Sequence, residues 1–285
     1  MTEKNRLRSL SILLISVWLV LFVLIPNLMI LVLSILTRDE SQFYRWEYTW
    51  ENYQRLFDPV YLQVFLHSLW MAVVTTLLCL LLAYPFAYFV AQAPKRWRNL
   101  LLLLVIIPFW TNSLIRTYAI KVILGTKGLL NTVLLELGLI ETPLRLLYTE
   151  TAVILGLTYL LLPFMILPLF AVLEKIDPNL NEAAADLGAN AWKRFWRITV
   201  PLSLPGVIAG SLMVLLPALG MFYISDILGG AKNLVVGNII KSQFLDARDW
   251  PFGSAASVTL TVVMALMLFA YYRVSRNQNR ELIDR

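Results

Sequence analysis

The sequence predicts an all-α polytopic membrane protein, six transmembrane helices in one domain covering residues 1–285. Three observations lead there. The chain is 59% hydrophobic with a mean hydropathy of +0.71, against roughly 45–50% apolar residues in a soluble domain. Only 15% of its residues are charged, too few to cover a water-facing surface. Those charges leave six uninterrupted gaps, at 9–37, 59–94, 99–115, 151–173, 198–225 and 251–272, and about 20 apolar residues cross a bilayer as helix. A membrane β-barrel would alternate polar and apolar residues; the run LLLLLVII at 100–107 does the opposite.

The first helix is expected over 10–36, kinked at Pro26. Its length, and the spans that follow, set it apart from a cleavable signal peptide. An external segment at 38–63 comes next, with Trp46, Tyr48, Trp50 and Tyr53 at headgroup level and a short surface helix in WENYQRLF. Helix 2 is expected over 64–91 with Pro85 near its end. Helix 3 starts near Leu100, holds Pro108 and leaves the bilayer between Arg116 and Leu124. Leu129, Leu130, Val133, Leu134 and Leu137 recur at helical spacing and predict a short external amphipathic helix. Helix 4 takes 151–173 and carries Pro163 and Pro168. Helix 5 runs from 202–206 to Asp226 with Pro217 inside it, and helix 6 covers 253–272. Prolines are tolerated within spans, where they bend helices or free carbonyls.

Basic residues set the orientation. The N-terminus, the loop after helix 2, the loop after helix 4 and the C-terminal tail together hold fourteen Lys and Arg against seven Asp and Glu. The opposite side holds ten against eleven. Both termini are therefore expected in the cytoplasm, and the net charge of +6 needs no nucleic acid to explain it.

The cytoplasmic loop 174–204 overlaps the stretch NLNEAAADLGANAWKRFWRITVPLSLPG, residues 179–206. Asn179 and Glu182 have the spacing of a reciprocal capping box. Glu182 and Asp186 are expected near the positive end of the helix that follows. Gly188 supplies a left-handed stop, and Asn190 caps a second short helix. The alanines at 183–185 allow another surface to approach closely. Trp192, Phe195 and Trp196 share a face, which suits either a membrane surface or anchorage to the chain's own bundle beneath a docked partner.

Glu182, Ala183, Ala184, Gly188, Ile198 and Pro201 have the spacing of the loop motif of ABC importer permeases, and the sequence resembles that family; Val200 stands where the family usually has Leu. The resemblance implies a type I (MetI-like) permease fold and a bacterial inner-membrane location. It implies that Glu182, Ala183, Ala184, Asp186 and Gly188, with Ile198 and Pro201 behind them, dock a separate ATPase dimer that holds the ATP and Mg. It also implies a second homologous permease, as a heterodimer, and a periplasmic substrate-binding protein. LGGAKNLVVGNIIKSQF at 228–244 is similar to the polyamine and opine branch. A small polycation such as spermidine or putrescine is the implied substrate, with another small solute as the alternative.

A polycation path needs carboxylates and aromatic faces. Asp226 beside Phe222 and Tyr223 is the best candidate, and Trp110 with Tyr118 is a second. An ordinary interfacial role competes at each of these positions. Arg116 and Lys121 oppose a simple cation path if they face inward.

The sole histidine, His67, and the sole cysteine, Cys79, assemble neither a catalytic triad nor a zinc set. No phosphate-binding GxxxxGK[ST] sequence is present. No catalysis and no cofactor bound by this chain is the expectation. An ion-driven transporter would place ionisable residues deep in its spans, and a scaffold would leave the capped loop unexplained.

Overall fold

The Pro108–Asn112 stretch interrupts its span, whereas Pro85, Pro163, Pro168, Pro205 and Pro217 lie inside helices that continue. The computed structural model describes residues 3–39, 41–230 and 233–283, with side chains from residue 10 to residue 273. Among them, six helices are long and apolar enough to cross a membrane: Leu10–Leu33, Pro59–Gln92, Ser113–Glu136, Glu150–Leu173, Ala191–Gly220 and Trp250–Arg273. Ala231 and Lys232, within the 228–244 segment, lie outside the described residues.

The chain divides into two compact units. The first comprises the residues up to Gln63 with Ile239–Ala265. Its opening helix, α1, carries the apolar stretch Leu10–Leu33. Pro26 has no N–H for the carbonyl one turn back, and the helix widens to a π turn at Val20–Leu24. The Asn27 side-chain amide donates to the Val23 carbonyl at 2.8 Å, a further bond on the same turn. Residues 10–29 are exposed throughout, as lipid or a second membrane subunit requires.

The external segment holds an element not expected from sequence, a hairpin of β1 (Leu36–Thr37) and β2 (Arg45–Tyr48). The short helix α2 (Glu51–Arg55) follows as anticipated. Buried Asn52 ties it back by donating to the Ser34 and Leu36 carbonyls at 3.1 and 2.8 Å. Trp46, Tyr48 and Trp50 are exposed.

The second unit comprises Val64–Asn238 and the residues from Leu266 onward. Helix α3 (Pro59–Gln92) stays helical through Pro85, and Cys79 is buried in it, as a small hydrophobe would be. The third span departs from a single helix. Helix α4 (Lys95–Ile106) passes through a 3₁₀ turn at Ile107–Trp110, becomes extended at Thr111, and restarts as α5 (Ser113–Leu124). Pro108 removes one donor of the ladder. Thr111 Oγ1 then donates to the Pro108 carbonyl at 2.8 Å, and Asn112 Oδ1 accepts from Leu114 N–H at 2.8 Å. These local bonds satisfy the backbone in place of a continued helix. The short helix α6 (Leu129–Glu136) forms where the leucine spacing put it, but with α5 it makes up the apolar stretch Ser113–Glu136, so it does not stand apart from the third span as expected.

Helices α7 (Glu150–Leu173) and α9 (Ala191–Gly220) pack along their length. A Cβ at Gly206 would lie 3.1 Å from the Leu169 Cα and the Pro168 carbonyl oxygen. At Gly210 it would lie 2.7 Å from Met165 Sδ and 3.1 Å from the Met165 carbonyl oxygen. Small residues four apart let membrane helices close backbone to backbone. Between them lies α8 (Pro178–Asp186). The fifth span ends at Gly220 rather than Asp226: Met221 leaves the helical region, and residues 222–229 form a separate helical turn. Helices α10 (Val236–Leu245) and α11 (Trp250–Ile283) complete the chain.

Candidate coupling loop and substrate path

The loop motif is built as helix, stop, helix, with a cap at each start. The first cap lies two residues earlier than NLNE suggested. Asp177 Oδ1 accepts from Asn179 N–H at 3.0 Å, and Pro178 occupies the first helical position, where proline's fixed φ and missing donor cost nothing. Glu182 is therefore a turn beyond the cap, exposed to solvent, and makes no capping box. Asp186 is the last residue of α8, at the negative end of the helix dipole rather than the positive one. An acid there is mildly unfavourable, by about 0.3–1 kcal/mol.

The stop is a complete Schellman arrangement. Gly188 has φ +80°, its N–H donates to the Ala185 carbonyl at 2.8 Å, and Ala189 N–H reaches back to Ala184 at 2.9 Å. This pairing satisfies the carbonyls that end the helix. Ala183 is exposed and Ala184 half-buried. Leu187, between them and the glycine, is 89% exposed, a large apolar side chain held out at the apex of the turn.

Asn190 caps the second helix as expected, accepting from Lys193 N–H at 2.8 Å. That helix does not stop short of the membrane. It widens to a π turn over Phe195–Thr199 and continues into the fifth span. Pro201 lacks the N–H that the Arg197 carbonyl would accept, so the wider turn resolves the mismatch without a break. Ile198 lies within the turn, half-buried, and Pro201 just beyond it, exposed. Single π turns are recurrent at functional positions.

The three aromatics divide. Phe195 stands edge-on to Tyr84 and Tyr88 of α3, ring centroids 5.7 and 5.6 Å apart. Trp192 and Trp196 remain exposed. The Tyr84 and Ser203 hydroxyls bond at 2.8 Å, fastening α9 to α3 one level deeper. Arg194 donates to the Asn181 carbonyl at 3.2 Å, so α8 and α9 are tied by a charged hydrogen bond as well as by the turn.

On the other flank, the Asn238 side-chain amide donates to Asp226 Oδ1 at 2.5 Å and to the Phe222 carbonyl at 3.3 Å. Phe222 and Tyr223 meet edge-on at 6.3 Å. Asp226 is exposed and lies in the π turn Ser225–Gly229, against which α5 packs. That helix bears Tyr118. Trp110, on the broken segment before it, is 79% exposed and Tyr118 55%, so neither is a core packing residue. The Arg116 guanidinium lies 5.6 Å from the Phe109 ring centroid. The Lys121 ammonium lies 6.0 and 5.8 Å from those of Tyr118 and Tyr148.

Sequence reasoning missed Asp177, Asn112 and Asn238. The first had a local signal in Asp-Pro at a helix start. Asn238 joins Asp226 only through the tertiary fold.

Six apolar spans, with a capped helix–turn–helix leading into the fifth, make up this membrane fold among the described residues. Solved structures share the fold. A bacterial alginate ABC transporter in complex with an alginate pentasaccharide-bound periplasmic protein aligns with a TM-score of 0.79 at 18% identity, over 96% of each chain. The MetNI methionine ABC transporter aligns at 0.57 and 18% identity, over 78% of this chain and 99% of that one. Residues 83–283 match the family of binding-protein-dependent transport system inner membrane components, and the chain belongs to that family. It is 56% identical to the spermidine/putrescine transport system permease protein PotB of Haemophilus influenzae, over 98% of this chain and 97% of that one. Its identity to PotB of Escherichia coli K12 is 58%, over 93% and 96%. Identity to the inner membrane ABC transporter permease protein YdcU of the same organism is 32%, over 78% and 74%. The chain is thus a multi-pass inner-membrane permease subunit, non-catalytic, of a system energised by a separate ATPase.

Proposed function

We propose that this chain is the permease subunit through which an ATP-driven importer passes spermidine and putrescine into the cytoplasm. The observation that carries the reading is likeness at 55–58% identity, over 93% or more of the chain, to permeases named for those amines. In this reading residues 1–285 act as one permease domain, paired with a second, different permease. The loop 174–204 docks the ATPase dimer, and a periplasmic protein delivers the amine.

The loop geometry supports a mechanical role. Exposed Glu182, Ala183, Asp186, Leu187 and Gly188 form a small, acid-flanked knob. A push on α8 reaches α9 through the Asn190 turn and the Arg194–Asn181 bond. Because α9 is continuous through its π turn, the displacement passes to the α7–α9 pair without a hinge. ATP binding would close the ATPase dimer and draw two such knobs together, switching the opening from outward to inward.

Vesicles holding this chain, its partner permease, the ATPase and the binding protein test the reading. ATP-dependent uptake of labelled spermidine or putrescine is expected, and uptake should vanish when this subunit is omitted. An ATPase that assembles while neither amine moves would refute the substrate assignment.

A further inference from the structure

On the side that the basic residues assign to the cytoplasm, a cleft of about 480 Å³ opens between the end of α3, the start of α4, the end of α7 and the two loop helices. Its polar lining is cationic. Arg98 Nη1 pairs with Glu174 at 2.5 Å and Nη2 reaches the Ala91 carbonyl at 3.4 Å. Arg194 Nη1 bonds the Asn181 carbonyl at 3.2 Å. The Nε atoms of Arg98 and Arg194 are both buried without a hydrogen-bond partner. A buried donor left unpaired costs about 1–3 kcal/mol, more when charged; each guanidinium also carries five N–H donors, more than the bonds above occupy, and both residues line the cleft. Two guanidiniums against one carboxylate leave a single positive charge, suited to a monoanion. Guanidinium geometry favours phosphate oxygens.

A second hollow of about 450 Å³ adjoins it, lined by Phe89, Ala93, Pro94, Trp97 and Leu101, and it shares Gln92 with the cleft. This lining is apolar apart from that amide. Trp97 is exposed beside Lys95, Arg96 and Arg98, the setting of an interfacial aromatic in the cytoplasmic leaflet. Basic pockets between helices on that face bind anionic headgroups.

We propose that the two cavities together hold one anionic phospholipid of the cytoplasmic leaflet. Its phosphodiester accepts from Arg98 and Arg194, and an acyl chain lies along Phe89, Trp97 and Leu101. Such a lipid bridges α4, α7 and the loop, making the stiffness of the coupling segment depend on membrane composition. The inference does not rest on the identity of the transported solute.

The test uses the assembled transporter, purified in mild detergent and exposed to phosphatidylglycerol or phosphatidylcholine, with bound lipid read by native mass spectrometry. The wild type should retain phosphatidylglycerol. Combined Arg98→Gln and Arg194→Gln should lower retention roughly tenfold, a change of about 1.4 kcal/mol, while Lys127→Gln, which lines neither cavity, should leave it unchanged. Phe89→Ser, at an exposed position, should weaken retention without touching either arginine, and it carries the test if the double variant fails to assemble. Equal retention by wild type, the double variant and Phe89→Ser would overturn the proposal. Displacement of the lipid by millimolar inorganic phosphate would instead assign the cleft to a free anion. Loss of the ATPase from the double variant with lipid retention intact would assign the arginines to an ATPase carboxylate.

Discussion

Arg55 and Asp249, 194 residues apart in sequence, form an ion pair of 2.8 Å in which the aspartate is fully buried. Asp249 also accepts from Phe252 N–H at 3.1 Å, capping α11, while the Arg55 guanidinium lies 4.2 Å from the Phe252 ring centroid. One carboxylate thus starts the last span and fixes the external segment to it. Removing one partner of a buried pair costs on the order of 3 kcal/mol. Asp249→Ala is expected to lower the melting temperature of the detergent-purified protein sharply. Asp249→Asn should fall between, since it keeps an acceptor but loses the charge. Identical melting of Asp249→Asn and wild type would show that the cap, and not the ion pair, carries the stability.

Gly188 separates conformational cost from partner contact. Its φ of +80° penalises any L residue by roughly 1–2 kcal/mol, yet a Cβ there would meet nothing within 4 Å in this chain. Gly188→Ala and Gly188→Leu should therefore fold with similar stability. If the turn seats in an ATPase groove, only the leucine variant should lose ATPase co-purification and ATP-driven uptake. Equal loss in both variants, matched by equal loss of stability, would reduce Gly188 to a helix stop.

Gly210 reports on the α7–α9 contact. Its Cβ would press on the flexible end of Met165 and on the Met165 backbone at once. Gly210→Ala is expected to cost about 1–3 kcal/mol through overpacking. Met165→Ala should recover only the part due to the sulfur, because the carbonyl remains. A double-mutant cycle on thermal stability measures that coupling; a coupling energy of zero would mean the helices separate freely at this level.

How much of this was legible follows from the physics of each feature. Charge-free gaps marked the fourth span almost to the residue, because burial in lipid excludes charge along its whole length. Gly188 and Asn190 were visible because a left-handed stop and a cap are local requirements of the backbone. The break at Thr111–Asn112 was hidden inside an apolar run, since hydropathy does not register which side chain takes over a backbone bond. Asp177 displaced Asn179 as the cap through the proline beside it. The hairpin at 36–48 is too short for a periodic signal, and the bonds Arg55–Asp249 and Asp226–Asn238 exist only once distant segments meet.

Asp226 is the residue whose role most needs a measurement. Asn238 holds its carboxylate at 2.5 Å, and exposed Phe222 and half-buried Tyr223 precede it. A carboxylate flanked by aromatic faces offers an amine both charge and cation–π attraction, the latter worth about 0.5–2 kcal/mol. If the amine passes here, Asp226→Asn should raise the KM for putrescine and spermidine roughly tenfold, the loss of about 1.4 kcal/mol. Assembly with the ATPase should be unchanged, because the loop 174–204 is untouched. Asn238→Ala, which removes one hydrogen bond to the carboxylate, should raise KM less than Asp226→Asn does. A purely structural Asp226 would give the reverse signature: lower melting temperature and less assembled transporter, with unchanged KM in the transporter that remains.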